Sequence, residues 1–341
     1  MSVGSALHGV GSVIYGKYFV TLPVPISTPQ LSKSIIIVTG ANTGLGYEAC
    51  KHLSQLGVGK LIMACRDTTK GEVAKKGILA STGRPESSID VWHIDMDNYE
   101  SIKAFARSAS ELSRLDGVLA NAGLMTTQFG LSEGNERNIN VNVISTFLLY
   151  LLLLPKMRMS HSQTGNITRF TIPNSALHYM APLDELKVEN GKIIDRLNDP
   201  ETSKMDGRYN LSKLLVIYAV REFAARTRLP NGCQCIINTP NPSFCKSSLA
   251  KESQGTAGFK VFESVMARST EEGSRALVHG LLAGPETDGQ YLTNCKVQCP
   301  ASHVTGSWGQ EIQQRFFSEL LDKLEMIHPG ISAHLRGFQQ D

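Results

Sequence analysis

Short apolar runs alternating with helical patterns predict an α/β fold, a single domain built on a doubly wound parallel sheet. Three observations carry this. The runs are rich in β-branched residues and apolar on both faces, as strands covered by helices on either side are. The first run passes directly into a glycine-rich turn and then a helix. No repeat, low-complexity tract or long Pro/Gly/Ser linker divides the 341 residues, a length that suits one large domain.

The elements follow in order. "SIIIVTG" (34–40) is the first buried strand, and a helical pattern runs from Gly44 to Leu56. "KLIMACR" (60–66), "SIDVWHID" (88–95), "GVLAN" (117–121), "ITRFTIP" (167–173) and "CQCIINTP" (233–240) are the next strands. Helices lie between them, notably over 131–158 and 208–229, and right-handed crossovers are expected. "GQYLT" (289–293) adds a late short strand, and 303–327 reads as a C-terminal helix. The expected organisation is an N-terminal arm (1–32), the domain (33–300), and a C-terminal helix and tail (301–341).

Composition removes several classes of function. With 34 Lys and Arg against 31 Asp and Glu, the net charge is only +3, so nothing points to nucleic acid or a polybasic membrane surface. Seven cysteines without a metal-type C-x-x-C pair suit reduced thiols in a cytoplasmic protein. No metal site is expected. The N-terminus, "MSVGSALHGVGSVIYGKYFV", lacks a basic leader, and glycines interrupt its apolar run. An arm packed on the domain is expected, with interfacial membrane contact as the alternative.

The first strand leads into "TGANTGLG" (39–46). Gly40, Gly44 and Gly46 sit between strand and helix, where bare backbone lets a pyrophosphate approach a helix N-terminus. The loop is read as a Rossmann-like dinucleotide site, with Leu45 counted in it, the alternative being a glycine-rich turn that tightens helix–strand packing. The second strand ends in Arg66 and Asp67. Arg66 pairs with phosphate and stacks on adenine, which favours NADP(H) over NAD. Lys70 is a further cation at that end. Asp67 is read either as a ribose ligand or as the cap of the next helix. Asp95, ending the third strand, is read either as a hydrogen-bond acceptor for the adenine amino group or as a turn residue. Asn121, in "NAG" after the fourth strand, is expected to hold neighbouring strands together beside the cofactor.

A second group of residues belongs to the same crevice, at the carboxyl ends of the strands. "NSALH" (174–178) follows the fifth strand, Asn142 lies on the helix after the fourth, and "RYNLSK" (208–213) opens a later helix. Tyr209 and Lys213 are four apart and share a helical face. A carbonyl-reducing site needs a donor for the developing alkoxide. A tyrosine serves near neutral pH if its ordinary pKa of roughly 10 is lowered, and a neighbouring ammonium is expected to do this. Ser175 is expected to steady the carbonyl oxygen, and Asn142 to hold a water that links Lys213 to solvent. Asn210-Leu211-Ser212 also fits a glycosylation sequon, but glycosylation there would block the crevice, and Asn210 and Ser212 are read as incidental.

In combination and in order, "TGANTGLG", "NAG", Asn142, Ser175 and "YNLSK" resemble the short-chain dehydrogenase/reductase family over about residues 33 to 300. "ACRD" followed by "KGE" looks like its retinol-dehydrogenase-like branch, and "NPSFCKSSL" with "LLDKLEMIHPGI" looks like fungal relatives in secondary metabolism. The resemblance implies Tyr209 as acid/base, Lys213 as its modulator and ribose holder, Ser175 as carbonyl positioner and Asn142 as water holder. Ser247 stands where a threonine often contacts the nicotinamide carboxamide. An NADP(H)-dependent oxidoreductase acting on an apolar carbonyl or secondary alcohol, in a tailoring step on a polyketide or terpenoid, is expected. The helices at 131–158 and 208–229 would form a homodimer interface, as in the family.

The chain departs from the family's pattern at two sites. Pro173-Asn174 replaces the usual serine before Ser175, and Pro242-Ser243 replaces Pro-Gly. These departures keep open a catalytically weak, cofactor-binding regulator; a methyltransferase would leave Tyr209, Lys213 and Ser175 without a role. Residues 179–207 read as a surface insertion. Residues 248–270 read as a lid with Gly255 and Gly258 as hinges, and Phe259, Val261, Phe262, Val265 and Met266 as an apolar wall. His178 is expected in a turn or a pocket wall, and Cys245 as an apolar filler.

Overall fold

The computed structural model describes residues 3–188, 192–228, 235–245 and 267–336. The strands are β1 (Ile35–Thr39), β2 (Lys60–Cys65), β3 (Ile89–His93), β4 (Gly117–Leu119), β5 (Leu131–Ser132), β6 (Asn135–Glu136), β7 (Thr168–Thr171), β8 (Cys235–Asn241), β9 (Tyr291–Thr293) and β10 (Lys296–Val297). Eight of them form one sheet in the order β10-β9-β8-β7-β4-β1-β2-β3. Its pairings are parallel except for β10 against β9. The expected doubly wound parallel sheet is therefore present.

The helices are α1 (Val3–Phe19), α2 (Gly44–Gln55), α3 (Thr68–Thr82), α4 (Tyr99–Ser110), α5 (Arg137–Thr164), α6 (Ile193–Leu197), α7 (Arg208–Thr227), α8 (Thr270–Leu282), α9 (Ser302–Thr305) and α10 (Ser307–Ile327). Strand alternation sends side chains to opposite faces, and the core divides accordingly. Ile37, Ile62 and Val118 pack with Ile102 of α4, Phe147 of α5 and Phe223 of α7. Ile36, Val38 and Leu61 pack with Leu53 of α2, Ile78 of α3 and Leu277 of α8. Each such aliphatic or aromatic side chain contributes about 1.5–3 kcal/mol when fully buried.

Three expectations need correction. The helix expected to start at 131 starts at Arg137; residues 131–136 form the β5–β6 hairpin, which turns through Glu133 (φ 51°) and Gly134 (φ 73°). The C-terminal helix is broken into α9 and α10 at Gly306. The 179–207 insertion is not confined to the surface: Leu186, Ile193 and Leu197 are fully buried, and the Ile194 amide donates to Glu319 of α10 at 3.0 Å. Its apolar side chains join the core, and Glu185 is paired with Arg208 inside the protein, while Asp184 and Lys204 pair on the surface.

The helices expected to meet a second subunit are also partly covered within the chain. α5 is long and apolar enough to cross a membrane, but 89% of its apolar window is buried in the fold. Both α5 and α7 are covered by the chain's own C-terminus. Phe317 of α10 lies edge-on to Phe223 with 4.8 Å between ring centroids, and Arg226 stacks over Phe317 at 4.7 Å. Pro155 within α5 has no amide for the Leu151 carbonyl, and His334 Nδ1 takes that carbonyl at 2.9 Å. Arg158 binds the carbonyls of His334, Leu335 and Arg336. The helices expected to meet a second subunit are thus backed within one chain.

The N-terminal arm is helix α1 laid across the domain. Lys17 Nζ donates to the Ala267 carbonyl at 2.9 Å. Buried Arg268 donates to the carbonyls of Gly16 and Val20, and Arg275 to that of Leu22 at 2.9 Å. Tyr15, Tyr18 and Phe19 remain exposed on α1.

Candidate active site

The cofactor end is shaped by glycine. Gly40 turns out of β1 at φ 63°. A Cβ on Gly46 would lie 2.4 Å from the Gly40 carbonyl oxygen and 2.5 Å from Asn121 Nδ2, so no side chain fits. Asn121 Nδ2 donates to the carbonyls of Thr39 (3.0 Å) and Gly40 (3.3 Å), fixing β1 to the segment after β4. Asp67, Asn98 and Ser269 cap α3, α4 and α8, whereas Thr43 makes no side-chain cap on α2. Gly44 (φ 60°), Leu45 and Gly46 therefore present their amides beside a bare backbone. This cradle fits a pyrophosphate.

At the end of β2 the alternatives separate. Asp67 accepts from the Lys70 amide at 3.0 Å and pairs with Lys70 Nζ at 3.1 Å. It is a helix cap, and Lys70 is its partner. Arg66 is exposed and makes no hydrogen bond or ion pair among the described residues. Asp95 accepts from the Asp97 amide at 3.0 Å, which is a turn contact.

The chemical end is built around α7. Lys213 Nζ lies 5.5 Å from the Tyr209 ring centroid and donates to the Pro173 carbonyl at 2.8 Å. Asn174 Nδ2 donates to the Lys213 carbonyl (3.2 Å) and to Thr239 Oγ1 (3.0 Å). The loop Pro173-Asn174-Ser175 thus grips α7 at Lys213. Pro173 is tolerated because the amides of Ile172 and Asn174, on either side, make the bonds to β8, at 3.0 and 2.8 Å. The Ser175 amide donates to Asn174 Oδ1 at 2.7 Å, and its hydroxyl oxygen accepts from Leu177 at 3.2 Å.

Asn142 lies in a π-helical turn of α5, Asn140–Ile144. Its carboxamide accepts from the Leu124 amide, donates to the Leu124 carbonyl (both 2.8 Å), and donates to Ser212 Oγ at 3.0 Å. Ser212 is fully buried and donates to the Tyr209 carbonyl at 2.7 Å. It is therefore not incidental. Ser212, Asn174 and Arg208 are the functional neighbours that sequence reasoning missed; only their closeness to Tyr209, Lys213 and Ser175 marked them.

Electrostatics differ from expectation at Tyr209. Burial pushes its hydroxyl well above the ordinary value, and burial lowers Lys213 to about 8. Desolvation disfavours both charged forms and outweighs any lowering of the tyrosine by the ammonium, which is bonded to Pro173. Elsewhere, Cys245 is buried against the Pro242 carbonyl, and burial raises its thiol to about 12. His178 is fully buried, with Nδ1 on the Ser175 carbonyl (2.8 Å) and Nε2 accepting from Ala301 (3.3 Å); it holds a turn. Ser243 occupies the left-handed region at φ 70°. Ser247 and lid residues 248–266 lie outside the described residues. No cluster of potential metal ligands occurs among the described residues.

Known proteins resemble this chain in family and in fold. A family profile described as short chain dehydrogenase matches residues 34–175. The chain is 38% identical over 327 residues to the short chain dehydrogenase/reductase dmxR8 of Cryptosporiopsis sp., covering 94% of this chain and 99% of that protein. It is 36% identical over 340 residues to the short-chain dehydrogenase anuD of Penicillium roqueforti, covering 98% and 88%. Among solved structures, a short chain dehydrogenase from Escherichia coli CFT073 complexed with NADPH matches with a TM-score of 0.56 at 20% identity, covering 78% of this chain and 99% of that one.

Proposed function

The chain belongs to the short-chain dehydrogenase/reductase family of oxidoreductases, and we propose that it uses NADP(H) to interconvert a carbonyl and a secondary alcohol on an apolar small molecule. The observation that carries this is the grip of residues 173–175 on Lys213, four residues from Tyr209 on one helix face. When bound, the nicotinamide supplies or accepts the hydride. Tyr209, kept protonated by burial, donates its proton to the oxygen that gains charge during reduction. The phenolate left behind is balanced by the Lys213 ammonium on the same face. Ser175, whose oxygen already accepts from Leu177, turns its hydroxyl hydrogen toward the substrate oxygen. Asn142 and Ser212 hold α7 in register with the segment after Asn121.

Gly40, Gly44, Leu45 and Gly46 would hold the pyrophosphate. Arg66, with no hydrogen bond or ion pair among the described residues while Asp67 caps α3, supports NADP(H) over NAD. We propose that the step is a tailoring reaction in fungal secondary metabolism on a polyketide or terpenoid; the fungal source of its relatives supports the setting, and the substrate class is the proposal's own. A cytoplasmic setting is supported by the free thiols Cys50, Cys65, Cys235, Cys245, Cys295 and Cys299.

The test is fluorescence titration with NADPH and NADH, with Arg66→Ala alongside. The variant should lose about 10–100-fold in NADPH affinity, the weight of one or two charge-assisted hydrogen bonds, with NADH unchanged. Equal loss for both nucleotides removes the 2′-phosphate role. NADPH oxidation with tetralone or acetophenone, abolished in Tyr209→Phe, tests the chemistry; NADPH binding without turnover on any ketone or alcohol favours a regulator.

A further inference from the structure

Arg208, the residue before Tyr209, opens α7 and is fully buried, as are Glu136 and Glu185. Its Nη2 donates to Glu185 Oε1 at 2.7 Å and to Ser203 Oγ at 2.5 Å. Its Nη1 donates to the Leu197 carbonyl at 2.8 Å and lies 3.9 Å from Glu136 Oε2. Glu136 in turn accepts from the amides of Asn138 (3.0 Å) and Ile139 (3.1 Å), capping the helix that carries Asn142. Asn138 clasps Thr126, accepting from its amide and donating to its carbonyl, both at 3.1 Å. One guanidinium thus joins the 179–207 insertion, the β5–β6 hairpin and the first turn of the catalytic helix.

A buried ion cluster of this kind is a poor source of stability, because desolvation offsets the attraction, and well-packed apolar residues often do as well. What it supplies is geometry. Gly207, before α7, offers no side-chain cap. A Cβ there would lie 2.7 Å from Pro182 Cγ, so no larger capping residue fits. The planar fork of Arg208, which donates only and so caps no amide, instead ties the first turn to acceptors on the insertion.

We propose that Arg208 is a positioning residue that sets the height and orientation of Tyr209 in the crevice, with the 179–207 insertion as its anchor. This rests on reading Tyr209 as the acid/base. Arg208→Lys keeps the charge and loses the fork, and Glu185→Gln keeps the Oε1 acceptor and loses the charge.

The experiment measures tetralone reduction, the NADPH dissociation constant, and amide hydrogen exchange across 208–212, all well below the melting temperature. In Arg208→Lys, kcat should fall about ten- to a hundredfold, as a misplaced group costs, while NADPH affinity stays within about twofold. Exchange at 208–212 should accelerate without change in β1 and β4. Glu185→Gln should keep most of its turnover. Unchanged kcat and exchange in folded Arg208→Lys overturn the proposal, as does loss of NADPH affinity in step with kcat. If Arg208→Lys does not fold, Ser203→Ala removes one prong, and normal exchange and turnover there overturn it equally. Tyr209→Phe run in parallel separates the two ideas. Full turnover in that variant removes the catalytic reading and this one with it. An inactive Tyr209→Phe beside an unimpaired Arg208→Lys removes the positioning role alone.

Discussion

Ser212 Oγ accepts a hydrogen bond from Asn142 Nδ2 at 3.0 Å, one residue before Lys213. The same hydroxyl donates to the Tyr209 carbonyl. A single buried oxygen therefore joins the π-helical turn of α5 to the first turn of α7.

Ser212→Ala should destabilise the protein by about 1–3 kcal/mol, because a buried amide hydrogen loses its acceptor. Asn142→Ala should cost a similar amount. Urea unfolding of the two single variants and the double variant should give a coupling of about 0.5–3 kcal/mol. Simple additivity would show that the contact carries no energy.

Lys213 supplies a stability signature in pH. Burial depresses it from 10.5 to about 8. Below about pH 8 it is charged both folded and unfolded, and the full burial penalty applies. As pH rises from about 8 to 10.5 the folded protein binds fewer protons than the unfolded chain, so this penalty is relieved and stability rises. The relief is of order 3 kcal/mol. Lys213→Met should lack it, seen as the difference between the two proteins' chemical-denaturation curves over this window. Parallel curves would contradict the shift.

Ser243 holds φ at 70°, where a side chain costs about 1–2 kcal/mol. Glycine removes that strain and gives back about 0.5–1 kcal/mol in unfolded-chain freedom. Ser243→Gly should therefore stabilise the protein by roughly 0.5–1 kcal/mol. A lower denaturant midpoint in the variant would show that the Ser243 side chain is needed there.

The sheet and the glycine cradle were legible because they depend on local signals. Runs such as "SIIIVTG" are apolar on both faces, Gly40 turns at a positive φ of 63°, and Gly46 sits where no side chain fits. The Tyr209–Lys213 face follows from helical spacing. Other features depend on what meets what in three dimensions. Ser212, Asn174 and Arg208 act through burial and partners far along the chain, and no periodicity marks them. Leu131 and Ser132 precede a helical pattern, and the turn at Glu133 and Gly134 overrides it. The 179–207 segment looks like surface because its charges are visible in the sequence, whereas the pairing of Glu185 with Arg208 is not. The direction of the Tyr209 shift also escaped, since desolvation is a property of the packed site.

The covering of α5 and α7 by residues 307–336 has a consequence for how the protein responds to dilution. A catalytic helix that leans on another subunit loses its support as concentration falls. Here the support is tethered to the same chain, and its local concentration is set by the tether. The share of the support that Phe317 and the carbonyls of residues 334–336 give to α5 and α7 is therefore unaffected by dilution.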